Sequence, residues 1–173
     1  MIRILILSLL VNFWAANAQP ADHRQWTDVL QEYVLENGAV DYKGLQNNKS
    51  GLESYLKLLS ANAPNDEWSI DAKKAYWINA YNAFTIQLIL KNYPLKSIKD
   101  LKRPWGLSFI KIDGGKIALN TIEHEILRPM GDPRIHFAIV CASKSCPKLL
   151  NYAYESETLD QQLEHVTKMF IND

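Results

Sequence analysis

One segment, residues 69–92, constrains the fold most, because its periodicity predicts a helix that is apolar on nearly every side. Ser69 is a typical helix N-cap, and Pro94 prevents the helix from continuing. A helix without a polar face is buried rather than placed at the surface. The remainder of the chain is therefore expected to pack around this helix.

Two carboxamides interrupt this apolar helix. Asn79 and Asn82 are three residues apart, so they share one helix face. Because buried polar groups need hydrogen-bond partners, a structural brace is the favoured role. The alternatives are that they orient an imidazole or donate to a developing oxyanion.

The other periodicities predict smaller elements around the central helix. Helices are expected at 22–37, 45–61, 121–127 and 157–170, with a short helical turn at 97–101. Segments 109–112 and 116–119 flank Asp113-Gly114-Gly115, which is typical of a β-hairpin. The apolar run 134–141 is predicted to be a buried strand. These elements predict an α+β fold with helices packed on a small, mostly antiparallel sheet.

The N-terminus has the pattern of a cleavable secretory signal, residues 1–18. Arg3 supplies a positive charge, residues 4–14 are mostly apolar, and Ala16 and Ala18 are small residues before the expected cleavage site. The apolar run is about half the roughly 20 residues that a membrane span needs. We therefore expect export to the periplasm or beyond, a single domain at 19–173, and no stable membrane insertion after cleavage.

Composition narrows the function further. The 173 residues carry 19 basic and 19 acidic side chains, so the chain lacks the basic excess that binds nucleic acid. Hydrophobic residues make up 47%, which is enough for a buried core. The predicted sheet has only about three strands and looks unfinished, so a fragment that lacks a C-terminal part is expected.

The two cysteines, Cys141 and Cys146, lie at the end of the predicted strand and in the turn that follows, together with Ser143. Three roles remain open for Cys141. It could be a nucleophile activated by a base, because a thiol attacks as the thiolate. It could be bridged to Cys146, because an exported chain meets an oxidising compartment. It could also be an inert buried thiol.

Candidate partners for such a thiol lie nearby in the sequence. Glu123, His124 and Glu125 are consecutive on a predicted short helix, where His124 could act as a base and a neighbouring carboxylate could orient it. A solvated polar face is the plainer interpretation. His136 is five residues before Cys141, so on a strand the two side chains point to opposite faces. His136 is therefore expected to be structural.

The chain resembles the domain of unknown function 547 family. The matching text is KAYWINAYNAFTI, LNTIEHEILR and DPRIHFAIVCASKSCPKL, with VDYKGL upstream. The resemblance implies a relation to papain-like or transglutaminase-like thiol enzymes. By that resemblance Cys141 would be the nucleophile, His124 the base and Glu123 the orienting carboxylate. Supporting or oxyanion roles would fall to Asn79, Asn82, His136, Ser143 and Cys146.

Two functions follow as hypotheses. The first is a thiol hydrolase or acyl-transfer enzyme acting on a peptide or amide substrate outside the cytoplasm. The second is a non-catalytic envelope binding module with a Cys141–Cys146 disulfide. A metal site built from Glu123, His124, His136 and a thiolate is a weaker alternative, because the spacing fits no recognised pattern. We therefore predict no metal and no cofactor.

Overall fold

The central element is the long helix that the sequence predicts. A computed structural model describes residues 20–142 and 146–172, and in it helix α4 spans Ile70–Lys91 and is buried on almost all sides. The Ser69 hydroxyl accepts a hydrogen bond from the backbone N–H of Ala72 at 3.1 Å, which caps the first turn. The predicted central helix is therefore confirmed. The predicted signal, residues 1–18, lies outside the described residues.

Three helices precede α4. They are α1 (Arg24–Tyr33), α2 (Tyr42–Asn47) and α3 (Ser50–Ala61). Helix α1 packs on α3, and α3 packs on α4. The helix predicted for 45–61 is thus two helices, the first of which begins where the Asp41 carboxylate accepts from the Gly44 N–H at 2.9 Å. Helix α1 ends earlier than predicted because Val34 is extended and forms an isolated bridge with Val40.

The predicted hairpin is confirmed. Strand β1 (Ile110–Ile112) pairs antiparallel with β2 (Gly115–Ile117), with Ile110 opposite Ile117. The two turn residues, Asp113 and Gly114, both have positive φ, as a tight hairpin turn requires. Strand β1 packs against α3, and these two strands form the sheet of the described residues. The fold class is α+β, as predicted.

The prediction of a buried strand at 134–141 is wrong. This segment instead contains the short helix α5 (Ile135–Ala138), and the backbone becomes extended only at Ile139. A short apolar run does not distinguish a strand from a buried helical turn by periodicity. Here the Asp132 carboxylate accepts the Arg134 N–H at 3.1 Å just before the helix. Helix α5 packs against α6 (Leu159–Ile171) rather than against a sheet.

The helix predicted at 121–127 is present with a different register. Thr121–Leu127 is a π-helix, which continues as a 3₁₀ turn over Arg128–Met130. In a π-helix, residues five apart share a face. Accordingly Ile122 and Leu127 are both fully buried, and the π-helix packs on α4. The predicted turn near residue 98 is the 3₁₀ helix Ile98–Asp100. Within the described ranges, no helix has the length and apolar character to cross a membrane.

Candidate functional site

Asn82 fixes the backbone that leads to Cys141. Its side-chain NH₂ donates to the Ala138 carbonyl at 3.0 Å, and its side-chain oxygen accepts from the Val140 N–H at 2.8 Å. The carboxamide is only 2% exposed, so both groups replace bonds that water would make. The segment between α5 and Cys141 is therefore held directly by the central helix.

Asn79 makes the same type of clamp on another segment. Its NH₂ donates to the Tyr154 carbonyl at 2.8 Å, and its oxygen accepts from the Tyr154 N–H at 3.0 Å. The side chain is fully buried. The brace favoured on sequence grounds thus describes both asparagines, each of which holds a different loop against α4.

The two cysteines form a disulfide. Cys141 and Cys146 are bridged across five positions of sequence, with their Cα atoms 6.0 Å apart. Since the chain has only two cysteines, no thiol is left. A bridged sulfur cannot supply a thiolate until it is reduced. The nucleophilic role of Cys141 therefore stays a prediction for a reduced form. Ser143, the predicted supporting residue in this loop, lies outside the described residues.

A cleft of about 440 Å³ opens beside this bridge. Its volume lies in the range of small-molecule sites. The walls come from four segments that are distant in sequence, namely 37–42, the second half of α4, 93–98 and the chain on either side of the disulfide. The lining includes both Asn82 and Cys146, together with many apolar side chains: Val40, Ile86, Ile89, Leu95, Ile98, Val140 and Leu149.

Two segments of the chain are in close contact along one wall of the cleft. Gly38 has φ +79°, which glycine adopts most easily. A Cβ at this position would lie 2.7 Å from the Cβ and 3.0 Å from the Cα of Lys148. The loop that contains Gly38 therefore contacts the chain just beyond the disulfide, and the two segments together close one side of the cleft.

The cleft contains an unsatisfied hydroxyl. Thr85 lines it and is 2% exposed, and its Oγ1 has no hydrogen-bond partner. A buried hydroxyl without a partner costs about 1–3 kcal/mol. Elsewhere in this chain, Ser60 and Thr167 satisfy their hydroxyls by donating to the carbonyl four residues earlier, at 2.8 and 2.7 Å. Thr85 makes no such bond.

The charged side chains that line the cleft are both lysines. Lys96 and Lys148 line it, and among its described lining residues there is no aspartate or glutamate. Burial raises the pKa of Tyr42, another lining residue, well above its ordinary value. Its phenol is protonated at neutral pH, as an ordinary tyrosine is, and can donate a hydrogen bond. The cleft is thus apolar with a few hydrogen-bond donors and positive charge.

The Glu123 and His124 pair lies elsewhere. Glu123 Oε1 accepts from Arg128 Nη2 at 2.8 Å, and His124 Nδ1 is 4.0 Å from the same oxygen. The His124 side chain is 47% exposed. Neither residue is among those that line the cleft. The predicted base and carboxylate are therefore neighbours of each other, and their catalytic roles stay predictions.

His136 occupies a third place. It is exposed on α5 and lines a smaller, open cavity with Arg128 and Asp132. Arg134 holds the pKa of Asp132 at about 2 by donating to its carboxylate, and Lys74 adds a further bond. No direct contact joins His136 to Cys141 among the described hydrogen bonds, and its supporting role also stays a prediction.

A protein-family model described as "Protein of unknown function, DUF547" matches residues 65–171, more than half of the chain. The chain belongs to the DUF547 family. The matched range contains α4 with both asparagine clamps, the π-helix and the disulfide. A search of curated proteins and a search of solved structures found no significant match. The function of this DUF547 domain must therefore be argued from its own geometry.

Thr85 and the cleft were not predicted from the sequence of this DUF547 chain. A usable signal was present, since Asn79, Asn82 and Thr85 recur at three-residue steps along an otherwise apolar helix. The first two interact with backbone and the third has no partner. In the described part of the chain, no group of three or more His, Cys, Asp or Glu residues is arranged to hold a metal ion.

Proposed function

We propose that this DUF547 domain is an exported, non-catalytic binding module of the cell envelope that holds a peptide or amide ligand in the cleft beside the Cys141–Cys146 bridge. The observation that carries the proposal is the bridge itself. It occupies both sulfurs, and one of its cysteines forms part of the cleft wall. In this arrangement the cysteines shape a binding surface instead of attacking a substrate.

The remaining features of the cleft agree with a binding role. Ligand sites are mostly apolar concavities with a small number of polar groups that fix orientation. The cleft has that composition, with Thr85 as its unsatisfied buried group. Asn82 holds the backbone of the wall in place, so the site is formed before a ligand arrives.

Export is proposed from two supporting arguments. Residues 1–18 have the pattern of a secretory signal. Disulfides persist in oxidising compartments and are rare in the cytosol. A domain whose cleft wall includes a bridge would therefore be formed correctly only after export.

Intact mass measurement of protein recovered from the periplasmic fraction tests this proposal. The expected chain starts at Gln19, is lighter than the reduced form by two hydrogen atoms and takes no alkylating agent before reduction. A protein that keeps residues 1–18, or that alkylates at Cys141 without reductant, would contradict export or the structural bridge respectively.

A second candidate is a papain-like or transglutaminase-like thiol enzyme that is active only when reduced. The observation in its favour is the proximity of His124 to Glu123, which could orient an imidazole. In reduced protein, His124→Ala should then slow the reaction of Cys141 with iodoacetamide. An unchanged rate would remove His124 as the base and leave the binding module as the better proposal.

A further inference from the structure

Basic residues are concentrated in one part of the chain. Seven of the 19 basic residues but only two of the 19 acidic ones lie within 91–116. Because the whole chain is neutral, the remaining residues carry an acidic excess. All seven of these basic residues are exposed, and none forms an ion pair with a described carboxylate. A local excess of one charge attracts partners of the opposite charge to that part of the surface.

Two of these lysines lie opposite each other across the hairpin. Lys111 of β1 and Lys116 of β2 are direct partners in the antiparallel register. Residues that are paired in this way point to the same face of the sheet, with their Cβ atoms about 5 Å apart. Like charges in direct opposition destabilise a hairpin. The stability of the fold gives no reason for this pair, whereas an anionic partner on the exposed face would make both charges favourable.

The same surface continues from the hairpin to the end of α4. Phe109 and Lys111 flank the buried Ile110, so both side chains lie on the outer face of the strand. The Lys91 ammonium lies 5.7 Å from the centre of the Phe109 ring, which is a cation–π distance. The Phe109 ring in turn packs edge-on against Phe84 of α4, with the ring centres 6.3 Å apart. Three lysines are therefore grouped around one half-buried aromatic ring.

The loop before the hairpin adds an exposed leucine and an arginine. Leu107 is 50% exposed, and its carbonyl accepts from the Phe109 N–H at 3.1 Å. The Arg103 guanidinium lies over Gly106, 3.9 Å from the position that a Cβ would take there. We call the following six residues the basic face: Lys91, Arg103, Leu107, Phe109, Lys111 and Lys116. None of them lines the cleft beside the disulfide.

An anionic lipid surface fits the basic face better than a soluble anionic polymer does. Lysine and arginine side chains are attracted to the negative potential of a membrane that contains acidic lipids. An exposed apolar side chain among them can enter the boundary between headgroups and acyl chains. A soluble acidic polymer would pair with the charges and leave Leu107 in water.

We propose that the basic face docks the domain peripherally on membranes that contain anionic phospholipid. The four basic side chains contact the headgroup phosphates, and Leu107 enters the boundary beneath them. Since the cleft is not part of this contact, the domain can hold a ligand while it is docked. The docking proposal therefore stands or falls separately from the proposed ligand site.

Vesicle sedimentation with the oxidised protein tests the proposal. One set of vesicles contains phosphatidylglycerol and phosphatidylcholine in equal parts, and the other contains phosphatidylcholine alone. We expect partitioning onto the anionic vesicles to be at least about tenfold stronger, because each basic side chain near the surface contributes. High salt should remove this preference by screening the charges. Equal partitioning onto both sets of vesicles, or no partitioning onto either, would overturn the proposal.

A charge reversal in the hairpin separates docking from folding. Lys111→Glu replaces two opposed like charges with an opposite pair, so the urea midpoint should rise. Partitioning of the same variant onto the anionic vesicles should fall about tenfold. Lys43→Glu, an equal change of charge at an exposed lysine of α2, is the matched control and should partition as the wild type does. A folded Lys111→Glu variant with wild-type partitioning would overturn the assignment of the basic face.

Leucine variants and a soluble polymer distinguish a membrane from an acidic macromolecule. Leu107→Ser should weaken partitioning onto the anionic vesicles about fivefold, because the apolar side chain no longer enters the lipid boundary. Leu35→Ser, at a similarly exposed leucine outside the basic face, should change nothing. Equal partitioning of the Leu107→Ser variant and the wild type would overturn the insertion of Leu107. Binding of polyglutamate without binding of vesicles would overturn the lipid assignment and point to an acidic polymer as the partner.

Discussion

The two asparagine clamps on α4 have the same chemistry and different surroundings. Asn79 holds Tyr154 in a region where neighbouring polar groups are also paired. There, Gln162 donates to the Ala153 carbonyl at 2.8 Å and accepts from the Glu155 N–H at 2.9 Å. Asn82 holds Val140, the residue before Cys141, and itself lines the cleft.

On the proposed function, one buried helix would serve both stability and binding. Along one stripe of α4, the polar side chains pass from a fully paired asparagine, through one that braces a cleft wall, to a threonine with no partner. Unsatisfied buried polar groups are rare in folded proteins because they are costly. Thr85 lines the cleft, so the Thr85 end of the stripe is the end that the proposed binding function would use.

The largest effect on stability is expected for a substitution of Asn79, the fully paired asparagine of the stripe. Asn79→Ala removes both partners of the buried Tyr154 backbone, and each unsatisfied group costs about 1–3 kcal/mol. The free energy of unfolding in urea should therefore fall by about 4 kcal/mol. Ligand affinity of the remaining folded protein should not change. A loss below about 1 kcal/mol would show that this clamp is not a major brace.

A pH response is expected in the same paired region. Burial lowers the pKa of His23 from 6.5 to about 4, although Asp22 and Glu157 oppose the shift. Its Nδ1 lies 2.7 Å from the Tyr55 hydroxyl. Because the unfolded state binds the proton more tightly, stability is full above pH 6.5 and is lost as the pH falls towards 4. The loss should reach about 3 kcal/mol.

Two histidine variants test whether His23 causes this loss of stability at low pH. His23→Gln should flatten the dependence of unfolding free energy on pH between 6.5 and 4. His165→Gln, at an exposed histidine on α6, is the matched control and should keep the wild-type profile. A profile that is unchanged by the His23 variant would refute the assignment of the acid sensitivity to this side chain.

The disulfide lies beside the cleft, as Asn82 and Thr85 do. It closes a loop of only a few residues, so the loop-entropy relation gives about 2 kcal/mol for its contribution to stability. The double variant Cys141→Ser, Cys146→Ser should therefore fold, with a modest shift of its urea midpoint. Its affinity for N-acetyl-Ala-Leu should fall more clearly, since the cleft wall loses its closure. Unchanged affinity would show that the bridge does not shape the site.

A smaller change in stability than at Asn79 is expected at the second clamp. Asn82→Ala should lower the free energy of unfolding by about 2 kcal/mol, less than Asn79→Ala, because the Val140 N–H is only partly buried. In contrast to Asn79→Ala, it should weaken peptide binding by displacing residues 138–140. If both variants had equal effects on stability and on binding, the proposed division between the two ends of the stripe would be refuted.

Sequence patterns predicted the elements whose signals are local. The all-round apolar text of α4, the Ser69 cap and the Gly-containing hairpin loop were sufficient for those elements. The prediction of a strand at 134–141 failed because eight mostly apolar residues fit either a strand or a helical turn. Contact with α6 and the hydrogen bond from the Arg134 N–H to the Asp132 carboxylate, just before the helix, accompany the helical conformation.

The candidate site was harder to predict from the sequence, for a different reason. The cysteine pairing remained one of several open alternatives, and the cleft is formed by four segments spread over more than a hundred residues. No local pattern indicates that residues 37–42 meet residues 146–149. The π-helix also changed which residues share a face, so the position of Glu123 and His124 relative to the cleft did not follow from ordinary helical spacing.

An NMR titration tests whether the cleft beside the disulfide is the binding site. N-acetyl-Ala-Leu would be added to ¹⁵N-labelled oxidised protein, and backbone amide shifts would be followed. We predict saturable changes at Ala39, Thr85, Val140 and Leu149, with Glu123, His124 and His136 unaffected. Changes centred on Glu123 and His124, or no change at the cleft, would contradict the assignment of the binding site to the cleft.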